Sequence, residues 1–150
     1  MRLKRYKLTF DIWGFLLFLL IMIPNFIWFA VSAPNDVLRT SSITETIDTI
    51  ASVCQALMVA ALCFFRNREA AKLCATPMVF ISAGCCFLYF LSWIVYYLGI
   101  VNAIVVLGLT ISPSLAFLFY AINRKNRIAM IPISIFTICH LIYGVANFIV

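Results

Sequence analysis

The chain has 150 residues, 65% of them hydrophobic and only 11% charged, with a formal net charge of +6. A soluble domain is about half apolar and a quarter charged, so this composition excludes a water-soluble fold. The basic balance then has to be read as membrane orientation before any acidic partner is invoked.

A hydrocarbon core about 30 Å thick takes roughly 20 apolar residues at 1.5 Å each. Five stretches meet that length, at approximately 10–31, 43–65, 78–98, 102–122 and 128–150, and they use almost the whole chain. The prediction is an all-α integral membrane protein, a single domain over 1–150 formed by a bundle of five transmembrane helices.

Before the first span lie Arg2, Lys4, Arg5 and Lys7. This basic end and the small residues Val31-Ser32-Ala33 resemble a signal peptide. The apolar run is nevertheless longer than the roughly 7–15 residues of a signal h-region, and Pro34 would follow the scissile bond, so the span is read as retained. Asp11 opens it, with Lys7 one turn earlier as its expected ion partner. Pro24 interrupts its backbone ladder and permits a kink. Asn25 is polar beyond the midpoint.

The first connection carries Asp36, Arg39, Glu45 and Asp48. Ser42-x-x-Glu45 has the form of a capping box opening the second helix. From there Glu45, Asp48, Ser52 and Gln55 recur at steps of three and four, one stripe at 100° per residue. Ser52, Ala56 and Ala60 form a small-xxx-small ladder, which reads as close helix packing.

The second connection is basic, with Arg66, Arg68 and Lys72, and Thr76-Pro77 reads as an N-cap followed by proline at the first helical position. In the third span Ser82, Cys85, Tyr89, Ser92 and Tyr96 form another helical stripe. Gly99 and Asn102 supply the turn into the fourth span. There Pro113, among Gly108, Thr110, Ser112 and Ser114, marks the best candidate for a bend, with Pro24 the second hinge candidate. After the polar turn 123–127, with Arg124, Lys125 and Arg127, the fifth span places Thr137, His140, Tyr143, Gly144 and Asn147 on one third of its circumference.

Ten of the eleven Lys and Arg residues fall on alternate connections. The positive-inside rule therefore predicts a cytoplasmic N-terminus and an external C-terminus, in the cell membrane. On this reading the basic clusters face anionic headgroups and no nucleic acid is involved. The cysteines Cys54, Cys63, Cys74, Cys85, Cys86 and Cys139 show no C-x-x-C pair and read as packing residues.

Polar groups inside a bilayer are costly unless they face a partner, the bundle interior or water. Two readings of the polar stripes stand side by side. In one they are interhelical hydrogen bonds, a dipole-complementing acid at Asp48 and an aromatic belt of Trp93, Tyr96 and Tyr97, with Trp13 at the other face. In the other, Glu45, Asp48, Ser52, Gln55, Asn25, Tyr96, His140, Tyr143 and Asn147 line an outward-opening pocket. Acidic and aromatic, it would suit a small cationic molecule, and His140, the lone histidine, gives it a pH-responsive group.

A single histidine with the nearest carboxylates outward of it argues against a metal site, and no cofactor is expected. No nucleophile–base pair can be assembled, so an enzyme is the weakest reading. The functional expectation is a carrier or binding protein for a small molecule. The alternative is a non-catalytic accessory or assembly subunit that meets a membrane-protein partner, or a second copy, through Ser52, Ala56 and Ala60.

Overall fold

The computed structural model describes residues 5–70 and 74–149. Arg2, Lys4, Lys72 and Val150, used in the span and orientation arguments, lie outside the described residues. Within these, five helices form: α1 (Ile12–Ala30), α2 (Glu45–Phe64), α3 (Pro77–Tyr97), α4 (Ala103–Asn123) and α5 (Arg127–Phe148). Each lies within two residues of its predicted span at either end, and each is long and apolar enough to cross a membrane.

Local chemistry sets most of these boundaries. The Asp11 carboxylate accepts from Trp13 N and Gly14 N and caps α1. Thr76 caps α3 through Val79 N, with Pro77 at the first position as expected. Asn102 and Asn126 cap α4 and α5 in the same way. Between α3 and α4 the chain reverses at Gly99, whose φ of +81° is a left-handed conformation that side chains disfavour.

The capping box does not form. Ser42 Oγ instead accepts from Thr44 N, and Thr44 Oγ1 donates to Asp48, so α2 opens at Glu45 with Thr44 as its N-cap. Glu45 is left exposed. A hydroxyl two residues ahead of a backbone N–H forms a tight local turn that competes with the reciprocal box.

Two three-residue strands were not foreseen: β1 (Tyr6–Leu8) pairs antiparallel with β2 (Phe65–Asn67), Lys7 opposite Arg66. This ribbon is pinned to the α4–α5 turn, because the Lys125 carbonyl accepts from Asn67 Nδ2 at 2.9 Å and Tyr6 Oη at 3.4 Å. The bundle thus has a basic end, with Arg5, Lys7, Arg66, Arg68, Arg124, Lys125 and Arg127, and an acidic end holding the connection 31–44.

Helix α3 packs along α4, α4 along α5 and α5 along α2, while α1 is the least engaged. The α2 face in the core is Ala51, Cys54, Met58, Ala61 and Leu62. Ser52, Ala56 and Ala60 are exposed, so the small-residue ladder is not buried in a helix seam among the described residues. Its phase explains this: Cys54, Met58 and Leu62 sit two positions beyond the three rungs, about 200° round the helix, which turns the ladder out of the α2–α5 seam.

Helix α1 is held at its two ends by different neighbours. At the basic end Asp11 N donates to the Cys63 carbonyl at 2.8 Å. Gly14 presses so close to α2 that a Cβ there would stand 3.1 Å from the Leu62 carbonyl oxygen. The Asp11 carboxylate is taken by Arg124 Nε at 3.2 Å and Tyr120 Oη at 3.1 Å, with Asp11 and Arg124 both about 5% exposed. The expected Lys7 partner is displaced because an arginine inside the bundle reaches the buried carboxylate while Lys7 points along the exposed ribbon.

At the acidic end α1 leans on α3. Asn25 Nδ2 donates to Tyr89 Oη at 2.8 Å, Tyr97 Oη donates to the Val31 carbonyl at 2.7 Å, and the Trp28 and Trp93 rings meet at 6.4 Å. The bonds that hold α1 thus pass from α2 and α4 at the basic end to α3 at the acidic end. Both α1 and α4 continue through Pro24 and Pro113. The hydroxyls of Thr110 and Ser114 bond the carbonyls of Val106, Leu107 and Ile111, not that of Leu109, which Pro113 leaves without its N–H donor.

Candidate functional site: a two-chambered cavity

The bundle contains a cavity of two adjoining chambers. The first, about 410 Å³, is lined by all five helices and by Leu38, Thr40 and Ser42 of the connection above it. Its polar wall is Asn25, Asp48, Ser52, Gln55, Thr110, His140 and Tyr143, and its aromatic wall is Trp28 and Trp93. The second, about 310 Å³, shares Asn25, Gln55, Leu109 and His140 with the first and adds Tyr89 together with a set of apolar walls, Phe18, Met22, Met58, Phe117 and Phe136 among them.

Six of the nine candidate residues from the sequence therefore come together: Asn25, Asp48, Ser52, Gln55, His140 and Tyr143. The other three lie elsewhere. Glu45 is exposed at the start of α2, and Asn147 ties the acidic ends of α5 and α2 by accepting from Ile43 N and donating to Thr44 Oγ1. Tyr96 is fully buried and donates to Asp36 at 2.9 Å while accepting from Leu38 N at 3.2 Å. Helical spacing could not tell that Tyr96 and Asn147 have fixed partners in the connection 31–44, or that Glu45 stays at the exposed start of α2.

Asp36 is the hub of that connection. Its carboxylate accepts from Trp28 Nε1, Ala33 N, Tyr96 Oη and Arg39 Nε. Burial alone would raise its pKa, but the donors from Trp28, Tyr96 and Ala33 and the Arg39 charge outweigh burial and hold it below the ordinary aspartate value. The cluster fixes the lid of the cavity, and it orients Trp28, whose ring also carries the Arg39 guanidinium at 5.0 Å.

Within the cavity two groups are conspicuous for what they do not bond. Asp48 receives one hydrogen bond, from Thr44 Oγ1 at 3.2 Å, and among the described residues no cation pairs with it. His140 stacks on Phe136 at 4.0 Å between centroids, and its Nδ1 is buried with no hydrogen-bond partner. Trp93 Nε1 is likewise buried and unbonded, near the Tyr89 hydroxyl but out of hydrogen-bond geometry with it. Buried polar atoms are nearly always paired, so orphans concentrated in one cavity mark a place where a partner is missing.

No protein-family model, curated protein or solved structure matches this chain. The cavity has to be read from its own chemistry. A carboxylate with no counter-ion among the described residues, a ring nitrogen with no partner among them and three aromatic faces favour a cation that can also donate hydrogen bonds.

A larger hollow of about 670 Å³ lies at the basic end, bounded by Arg5, Tyr6, Asn67, Glu69, Lys125 and Arg127. Part of its polar lining is already engaged: Arg5 pairs with Glu69 at 3.5 Å, and Asn67 and Tyr6 hold the Lys125 carbonyl. It shows no buried orphan.

Trp28 and Thr110 are cavity residues that the sequence reading did not select as ligands. Trp28 was legible in principle, since it follows Asn25 by three residues on one helical face. Thr110 was treated only as a neighbour of Pro113.

Proposed function

We propose that this chain is a multi-pass protein of the cell membrane, basic end in the cytoplasm and acidic end outside, that binds or carries a small amine-bearing molecule. The observation that carries this reading is Asp48, a carboxylate facing the cavity with no cation among the described residues. In a low-dielectric site such a charge attracts a cation far more strongly than on an open surface. Trp28, Trp93 and Tyr143 offer ring faces to an ammonium group, and His140 and Gln55 offer acceptors for its N–H bonds.

The test is equilibrium binding of butylamine to the protein reconstituted in nanodiscs. Asp48→Asn and His140→Ala should each weaken binding by roughly tenfold or more, the scale of a lost charge-assisted hydrogen bond. Glu45→Gln, exposed and outside the cavity, should leave it unchanged. Equal affinity in Asp48→Asn, or an equal loss in Glu45→Gln, would sink the amine site.

The exposure of Ser52, Ala56 and Ala60 favours a second reading, an accessory subunit that packs this face against another membrane helix. On that reading Ala56→Leu changes the mass of the detergent-solubilised assembly and leaves butylamine binding intact.

A further inference from the structure

The polar chamber is roofed by a fixed connection, and its α2 wall carries outward-facing residues. Leu38, Thr40 and Ser42 lie over it, on a connection fixed by the Asp36 cluster and by the bonds from Asn147 to Ile43 and Thr44. Between α1 and α2, the tight glycine approach and the backbone hydrogen bond that ties the start of α1 lie at the basic end, at Gly14, Leu62 and Cys63. Further along, Ser52 and Ala56 are exposed on α2 although Ser52 lines the polar chamber, and Phe29 is 65% exposed on α1 although it lines the apolar one. Residues that bound a cavity and also face outward mark its openings: exposed Thr40 marks one in the lid, and Ser52 with Phe29 marks one between α2 and α1. The second opening looks sideways, along the faces that would meet lipid.

The two chambers differ in chemistry in the same direction. One end offers Asp48, His140 and Gln55, while the other is walled by Phe18, Met22, Met58, Phe117 and Phe136. A small hydrophilic amine would use the first and make no use of the aliphatic and aromatic walls of the second, whereas a molecule with an apolar tail meets both. From the juxtaposition of these chambers with the α1–α2 opening, we propose that the ligand is an amphiphilic amine that reaches the site sideways from the lipid leaflet at the acidic end, its ammonium group at Asp48 and its tail in the apolar chamber.

This rests on the amine-site reading and adds a substrate class and a route to it. Small side chains at Ser52 and Ala56 keep the α2 lip low, and α1, bonded elsewhere, forms the other lip.

The experiment compares saturable binding of radiolabelled dodecylamine and butylamine to the protein in nanodiscs, with binding to empty nanodiscs subtracted. Ala56→Trp narrows the lip from α2, and Met22→Trp fills the apolar chamber from α1. Each should cost dodecylamine roughly tenfold or more in affinity, the scale of overpacking, and leave butylamine bound as before, which also shows that the variants fold. Asp48→Asn should weaken both amines.

If butylamine responds to Asp48→Asn while dodecylamine is indifferent to both tryptophans, the lateral route and the amphiphile fall and the amine site stands. If neither amine binds saturably, the amine reading itself falls. If Ala56→Trp instead changes the assembly mass with both affinities intact, the lip is a helix interface and the route is overturned.

Discussion

Asp36 illustrates how one residue in a connection can govern a site made by helices. Four donors converge on its carboxylate and join the end of α1, the connection and α3. Its pKa is held below the ordinary aspartate value, so the native state favours the ionised form. By linkage, the stability Asp36 contributes is fully present above the unfolded value near ~4 and is lost as pH falls through the lowered folded value. The expected result is that Asp36→Asn is less stable than the parent at neutral pH and that the gap closes only in strong acid. Thermal melts of both proteins from pH 7 downward check this; a gap that is constant with pH would show that the carboxylate's charge is irrelevant. None of this was legible in the sequence, where Asp36 is one charge in a polar loop. Its importance comes from Tyr96, sixty residues away, and no local pattern carries that pairing.

At the scale of elements, the helices were legible and their partnerships were not. Length and hydropathy are local, as are the caps at Thr76 and Asn102, so the five spans and the Gly99 turn could be read residue by residue. The ribbon of β1 with β2 and the lean of α1 depend on contacts over long separations. The basic-end anchor of α1 is the buried Asp11–Arg124 pair, joined by Tyr120. Removing one member of such a pair leaves an uncompensated charge and costs about 3–5 kcal/mol. Asp11→Ala or Arg124→Ala should therefore destabilise the bundle on that scale, whereas Lys7→Ala, on the exposed ribbon, should fall within about 0.5 kcal/mol. Reversible unfolding in mixed micelles measures the difference. Comparable losses from Lys7→Ala and Arg124→Ala would restore Lys7 as the anchor of α1.

For the whole molecule the decisive quantity is orientation, because it sets which leaflet the α1–α2 opening faces. Seven of the described cations, Arg5, Lys7, Arg66, Arg68, Arg124, Lys125 and Arg127, lie at one end, where the ribbon gathers three connections into one surface. The opposite end holds Asp36, Glu45 and Asp48 against Arg39 alone. Positive charge retained in the cytoplasm would place the cavity lid outside and its opening in the outer leaflet. The structure also decides where the question can be asked. Asn126 is nearly fully buried and bonds the Ala61 and Phe65 carbonyls, so a cysteine there would disturb the α2–α5 seam; Arg68, Glu45 and Ile100 are exposed. In a cysteine-free background, single cysteines at Glu45 and Ile100 should react with an impermeant thiol reagent added to intact cells, and one at Arg68 should react only after the membrane is opened. The reverse pattern would turn the bundle over and put the amine site within reach of the inner leaflet and cytoplasm, leaving its chemistry intact but changing the side from which any ligand is drawn.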